Sequence, residues 1–285
     1  MPREFSSENI RIAAFDLDGT VLQGSLISDR VVTALRKLSD RGVAVTVSTA
    51  RDISQIPRDV LSCFRYRVTA NGASVTDSDS NILEDHPMDS RTAIRALSII
   101  RKCHGTSCLY LNGFVVATPL FLIRLLRRTN YLSKTHRKAT KEVRRNRIVL
   151  RIRGHVGKGG LRVYRIHTFF KNQTDALAAA QQLKETGLFN PIVLEDNSME
   201  TTLSGITKAL GLLELCSVLG CSAENIMAFG DSANDLEMFR TAGFSVGMGN
   251  AEQCVKSEAD YITDPVSEDG VATAIDKLFG FGSQN

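Results

Sequence analysis

The sequence predicts an α/β fold: a mainly parallel sheet, split along the chain by an inserted α+β domain. Three observations carry this. Short apolar runs alternate with amphipathic helical stretches over residues 10–69, and the same alternation returns over 207–278. Strand–helix–strand order implies parallel pairing with right-handed crossovers. The stretch between differs in charge. From Phe121 to Lys171 there are 16 Lys or Arg and one acid, a net +15, which leaves −11 for the rest of the chain. Such asymmetry marks two units with different partners. At 285 residues the chain is long enough for two modest domains with cores of their own.

Residues 10–15, IRIAAF, read as a buried strand. Ser28 can N-cap a helix to about Arg41, with Val31, Val32, Leu35 and Leu38 on one stripe and Gly42 as its stop. A strand at 43–48, a helix from about Asp52 and a strand at 66–69 follow. The middle carries helices near 90–102 and 174–186, the second capped by Thr174 and stopped by Gly187, and strands near 147–153 and 162–170. The alternation resumes with a helix from Thr207 to Leu219, stopped by Gly220. Then come a strand at 225–229, a helix at 233–241, strands at 244–248 and 260–263, and a helix at 269–278. The core is therefore expected at 1–85 and 204–285, Rossmann-like, with the insertion at 86–203.

Composition excludes some classes. Hydrophobic residues at 43% and charged ones at 23% are incompatible with wholesale disorder. The longest nearly apolar run, Phe114–Ile123, contains Thr118 and Pro119 and ends at Arg124. It is too short for a membrane span of about 20 residues. The first ten residues lack an apolar signal segment, and the six cysteines form no Cys-x-x-Cys, so a reduced, cytoplasmic protein is expected. The basic run reads either as a solvated face or as a surface for an anionic small substrate, nucleic acid or an acidic membrane. Trp is absent and no arginine-and-aromatic RNA signature accompanies the run, so nucleic acid is the less favoured partner.

The chemistry-bearing residues sit at predicted element ends. Strand 10–15 runs into Asp16-Leu17-Asp18-Gly19-Thr20, which places two carboxylates at the carboxyl end of a parallel strand, where α/β sheets bind ligands. Alone, this is also an ordinary polar turn; the EF-hand pattern fails because Val21 and Leu22 follow. Thr49 and Arg51, after the second strand, offer a hydroxyl and a guanidinium suited to phosphate oxygens. Asn71-Gly72 is a turn signal that can also touch a ligand. Lys208 opens a predicted helix, where anions are attracted. Gly230-Asp231-Ser232-Ala233-Asn234-Asp235 offers hard oxygen ligands for Mg²⁺ or, equally, a capped helix start. Each piece is weak alone. Together they supply a nucleophile, a proton donor, phosphate clamps and a metal site.

On these motifs the chain resembles haloacid dehalogenase superfamily phosphatases of the Cof-type subfamily IIB, which carry a C2 cap. Asp16–Thr20 matches the first motif, Thr49-Ala50-Arg51 the second, Asn71-Gly72-Ala73 the Asn-Gly-Ala segment, and Thr207–Leu210 the lysine motif. Gly230–Met238 matches the fourth, and Val246–Ala251 and Asp269–Ala272 the C-terminal segments. Ala50 and Ala209 stand where that family more often has Gly, and neither change removes a reacting group. The resemblance implies Asp16 as nucleophile, Asp18 as acid and then base, and Thr49 and Lys208 as holders of the transferring oxygens. It implies Mg²⁺ on Asp16, the Asp18 carbonyl and Asp231, supported by Asp235. Asn234 would orient Lys208 or the acids, and Arg51, Asn71, Gly72 and Asn250 would contact substrate. The insertion would be a C2-type cap that excludes water and reads the leaving group.

The expected function is thus Mg²⁺-dependent hydrolysis of a small phosphorylated metabolite, such as a sugar, nucleotide-like or cofactor phosphate, through an aspartyl-phosphate. A phosphomutase shares these motifs, and a binding module docking its basic segment on nucleic acid or an anionic surface is the alternative from another class. A P-type ATPase would need membrane spans. A pseudoenzyme ranks last, because every expected reacting group is present. Monomer and homodimer both remain open.

Overall fold

The computed structural model describes residues 3–111, 114–128, 147–148, 152, 156 and 160–281, with 126–128 and 147–148 by backbone alone. The chain divides into two compact units: Met1–Ala50, Ile56–Asp85 and Thr207–Asn285 form the first, and Arg51–Gln55 with His86–Ile206 the second.

The first unit is built on an eight-stranded sheet of order β14-β13-β12-β1-β2-β3-β4-β5. The strands are β1 (Ile12–Phe15), β2 (Ala44–Ser48), β3 (Tyr66–Thr69), β4 (Ser74–Asp77), β5 (Ile82–Asp85), β12 (Ile226–Gly230), β13 (Phe244–Gly247) and β14 (Tyr261–Ile262). All pairings from β14 to β3 are parallel; β4 and β5 add an antiparallel hairpin. β1 and β12 are buried at every residue, as expected of apolar runs covered on both faces. Phe15 and Phe229, register partners on these strands, stack with centroids 4.6 Å apart just below the two acidic loops.

Helices α1 (Asp29–Asp40) and α9 (Gly270–Leu278) pack together, and α6 (Lys208–Leu219), α7 (Leu236–Thr241) and α8 (Gln253–Glu258) complete the unit. Ser28 caps α1 through its side chain, accepting from Val31 N at 3.1 Å. Thr207 does the same for α6, and Gly220 ends that helix in the left-handed conformation. The helix expected from Asp52 is not continuous. Residues Ile53–Gln55 form one 3₁₀ turn, and Pro57, which lacks an N–H, separates it from the four-residue α2 (Arg58–Leu61).

The second unit has a six-stranded sheet of order β10-β11-β9-β6-β7-β8. Its strands are β6 (Thr106–Leu111), β7 (Phe114–Ala117), β8 (Arg147–Ile148), β9 (Arg165–Phe169), β10 (Phe189–Val193) and β11 (Ser198–Leu203), antiparallel except for β7–β8. Helices α3 (Ser90–Lys102) and α5 (Gln173–Glu185) cover one face through Ala93, Leu97, Ile100, Ala176 and Leu183, against Leu109, Ile166 and Met199. The alternate residues Cys108, Tyr110, Arg165, His167, Phe169 and Glu200 share the other face, where Phe121 of α4 (Pro119–Arg128) stacks on Phe169.

Three local expectations change here. α5 begins one residue before Thr174, and its cap is Asn172, whose side chain accepts from Asp175 N at 2.8 Å. The strand expected over 147–153 is described only at Arg147–Ile148; Ile152 is helical, and 149–151 and 153 lie outside the described residues. The apolar run 114–123 divides into β7 and α4 at Thr118, whose hydroxyl accepts from Phe121 N. Most of the basic run, including 129–146, lies outside the described residues. All six cysteines are free thiols, and no helix among the described residues is long and apolar enough to cross a membrane.

Candidate active site

The parallel strands of the first unit deliver their functional side chains at their carboxyl ends. Asp16 follows β1, Thr49 follows β2, Asn71 lies just past β3, and Asp231 follows β12. Lys208 is the first residue of α6, with its side chain buried between two carboxylates. Its Nζ donates to Asp16 Oδ1 at 2.6 Å and to Asp235 Oδ1 at 2.7 Å, and lies 3.5 Å from Asn234 Oδ1. Asp235 Oδ2 accepts from the backbone N–H groups of Asp231 and Ser232 at 3.0 and 3.2 Å. Asp235 is 0% exposed, so both its oxygens serve to fix the Asp231 loop and the lysine. Gly230 makes room for it: a Cβ there would lie 2.5 Å from Asp235 Cγ.

Asp16, Asp231 and Asp235 each present an oxygen within 4.8 Å of the others. Burial, and then the charges of its neighbours, pushes Asp231 up to about 7. Asp16 is pushed up to about 6: burial and Asp235 raise it, and Lys208 only partly offsets them. At Lys208 the balance reverses. Burial alone would lower it, but Asp16 and Asp235 together hold it well above the usual lysine range. One lysine facing three carboxylates leaves an excess of negative charge in a place poor in water.

The loops around this cluster are held by close contacts. Gly19 has φ +80°, and a Cβ there would strike the Asp231 carboxylate. Thr20 Oγ1 lies 3.4 Å from Asp231 Oδ1. Gly72 has φ +96°, and a Cβ there would collide with the Thr207 carbonyl, so the turn after β3 packs directly on the start of α6. Asn71 is left-handed at φ 59° and, like Thr49, is buried; its N–H donates to Thr49 O at 3.0 Å. Asn250 joins three loops: its Nδ2 donates to Gly19 O at 2.8 Å and approaches Asp231 Oδ2 at 3.4 Å, and its Oδ1 accepts from Val266 N at 2.8 Å. Asp18 is exposed beside the cluster, next in line after Leu17.

The structure therefore brings Asp16, Lys208, Asn234, Asp231 and Asp235 into one contact group, tied to Asn250. Thr49, Asn71 and Gly72 stand at the adjacent strand ends. Arg51 belongs to the second unit, where its Nη1 donates to Gln55 O at 3.4 Å. Sequence reasoning missed a second polar group. Arg165 donates to Glu200 Oε1 at 2.6 Å, lies 4.2 Å over the Tyr110 ring and reaches Gln55. These partners are far apart in sequence; the register of β6, β9 and β11 brings Tyr110, Arg165 and Glu200 together, and the Ile53–Gln55 turn adds Gln55, so no local spacing announces them.

A family model described as haloacid dehalogenase-like hydrolase matches residues 13–275. The chain is 32% identical over 270 residues to 5-amino-6-(5-phospho-D-ribitylamino)uracil phosphatase YcsE of Bacillus subtilis, spanning 94% of this chain and 95% of that protein. Its fold is similar to a haloacid dehalogenase-like hydrolase from Bacteroides thetaiotaomicron, with TM-score 0.77 and 24% identity over 95% of this chain and 100% of the other. It is similar too to the subclass IIB sugar phosphatase BT4131, with TM-score 0.72 and 21% identity over 95% of this chain and 99% of the other.

Proposed function

The chain belongs to the haloacid dehalogenase-like hydrolases and is an enzyme of their phosphatase kind; from that premise we propose that it hydrolyses a small phosphorylated metabolite with Mg²⁺, through an aspartyl-phosphate on Asp16. The observation that carries the reading is the buried Lys208 bridging Asp16 and Asp235, with Asp231 alongside, at the carboxyl ends of parallel strands. The 32% identity to YcsE, which covers nearly the whole of both chains, supports a substrate of the kind in that protein's name, a polyol phosphate joined to a heterocycle.

The all-oxygen, net-negative donor set at Asp16, Asp231 and Asp235 fits a hard divalent cation. Asp16, Asp231 and the Asp18 carbonyl would hold it, with Asp235 as support, and when bound it supplies positive charge to the phosphoryl oxygens. Asp16 attacks phosphorus through the oxygen that Lys208 does not hold. The bond from phosphorus to the leaving oxygen breaks, and Asp18 gives that oxygen its proton. Asp18, now a carboxylate, takes a proton from the water that attacks the aspartyl-phosphate, and phosphate leaves with Asp16 restored. Lys208 keeps Asp16 ionised and, with Thr49, holds the transferring oxygens. Asn71 and Gly72 line the same strand ends, Asn234 orients Lys208, and Asn250 keeps the Gly19 and Asp231 loops in register.

Phosphate release from a panel of phosphorylated metabolites, with Mg²⁺ and with EDTA, tests the reading. One preferred substrate that requires metal is expected; no metal-dependent release would overturn it. A second check needs no substrate. In the cation-free protein at pH 6.5, Asp231 (about 7) and Asp16 (about 6) hold part of their protons. Mg²⁺ should displace them, releasing up to about one proton in calorimetry across buffers of different ionisation enthalpy, with none released above about pH 9. Both groups lie above their unfolded values, so the native state binds more protons than the unfolded one. Cation-free stability should therefore fall as pH rises from about 5 to 8, and Mg²⁺ should abolish that slope. Absence of both effects would remove these acids from the metal site.

A further inference from the structure

Arg51–Gln55 is flanked in sequence by residues of the first unit yet belongs to the second. Thr49 is fixed in the first unit by backbone bonds, its N–H donating to Val68 O at 2.9 Å and its carbonyl accepting from Asn71 N at 3.0 Å. Ala50 alone separates it from the segment that changes allegiance.

Gln55 ties that segment down. Its Oε1 accepts from Asp52 N at 3.0 Å and from an Arg165 guanidinium N–H, and its Nε2 donates to Tyr110 Oη at 3.2 Å. Arg165 is itself immobile: 3% exposed, paired with Glu200 and laid over Tyr110. Although burial alone would raise Glu200, Arg165 and His167 hold it below the usual carboxylate range, so the pair stays ionised. The segment is also closed on itself. Gln55 N donates to Asp52 O at 2.8 Å, Asp52 Oδ1 accepts from Ser54 N at 2.9 Å, and Arg51 Nη1 donates to Gln55 O. Gln55 is half-buried, and its hydrogen bonds to Tyr110 and Arg165 fix this self-bonded turn to the second unit's sheet.

We propose that Gln55 is a positioning residue: it fastens the Arg51–Gln55 turn to the Tyr110–Arg165–Glu200 array, so that the place of Arg51, an anion-binding candidate, is set by that array and not by the loop that carries Thr49. The role given to Arg51 rests on the phosphatase reading; the anchoring does not. Arg165, already neutralised by Glu200, serves the anchor and not the substrate's charge.

Hydrogen exchange on the full chain tests the anchor without activity. Gln55→Ala should speed exchange of the Ser54 and Gln55 amides at least about tenfold, with β2 unchanged, and Gln55→Glu, which keeps the acceptor, should recover most of the protection. Unchanged exchange in Gln55→Ala overturns the proposal whatever the enzyme does. A double-mutant cycle tests the consequence. Against the substrate preferred in the panel, Gln55→Ala should raise KM several-fold more than it lowers kcat, and add nothing to Arg51→Ala. Additive losses would show that Gln55 does not act through Arg51. Faster exchange in Gln55→Ala, with no metal-dependent turnover in the wild type, would instead uphold the anchor and sink the phosphatase reading.

Discussion

Asp16→Asn is expected to cost more than about 10⁴-fold in turnover while leaving the fold intact, as removal of a nucleophile does. The amide is nearly isosteric and keeps an oxygen to accept from Lys208 Nζ, so the buried lysine is not orphaned. It cannot form the bond to phosphorus. The variant should melt no lower than wild type at pH 8 without metal, because Asp16, raised to about 6, is a buried charge there and a neutral amide is not. At pH 5 wild-type Asp16 is mostly protonated and the advantage should shrink. Initial rates with the preferred substrate and cation-free melting curves at the two pH values check both parts. Turnover within tenfold of wild type would sink the nucleophile assignment.

Lys208→Met is expected to damage both stability and rate. The lysine side chain is 1% exposed and pairs with two carboxylates, so its removal strands charge in the interior. Breaking a buried pair in this way costs about 3–5 kcal/mol, measurable by urea unfolding at pH 8. The sign of the pH dependence distinguishes this from simple misfit. Lys208 lies above its unfolded value, so its contribution is whole below about 10.5 and fades only in strong alkali. Without it Asp16 moves further up, and the variant recovers stability as pH falls and Asp16 takes a proton. The acidic limb of kcat/KM should shift upward, with a fall of about 10²–10³-fold at its plateau, as for the loss of one oriented donor to a transferring oxygen. An unshifted limb would mean that Lys208 does not set the ionisation of Asp16.

The parallel core was legible because it is buried on both faces. IAAF and IMAFG leave no polar residue to obscure the strand, and Ser28, Thr207, Gly42 and Gly220 punctuate the helices. The amphipathic helices were read from their apolar stripes, but hairpin and edge strands were not legible. The β4–β5 hairpin runs through SVTDSDSNILED, where alternation is lost among turn-forming residues. β10 contains Pro191, which argues against a strand and is tolerated because β10 is an edge. The helix expected from Asp52 failed at Pro57, a stop already visible in the sequence. At the site, the residue types and their places at strand ends were readable, but the pairing of Lys208 with Asp16, 192 positions apart, is a product of topology. So is the Gln55–Arg165 contact. Neither leaves a periodic trace.

The position of β1 in the sheet also governs how the protein comes into being. The strand that leads into Asp16 lies between β2, its neighbour early in the chain, and β12, which begins at Ile226. During synthesis one hydrogen-bonding edge of the apolar strand Ile12–Phe15 therefore stays unpartnered until more than 200 further residues have been translated. Its partner arrives only after the entire inserted unit, which can fold on the nascent chain in the interval. The edge is short, which limits its capacity to recruit a neighbouring chain while it waits. A polypeptide released between Lys208 and Ile226 would carry Asp16 and Lys208 but neither Asp231 nor Asp235, and would leave that edge unpaired for good. Termination in that window would thus yield a fragment without the second acidic loop, and not a weakened enzyme.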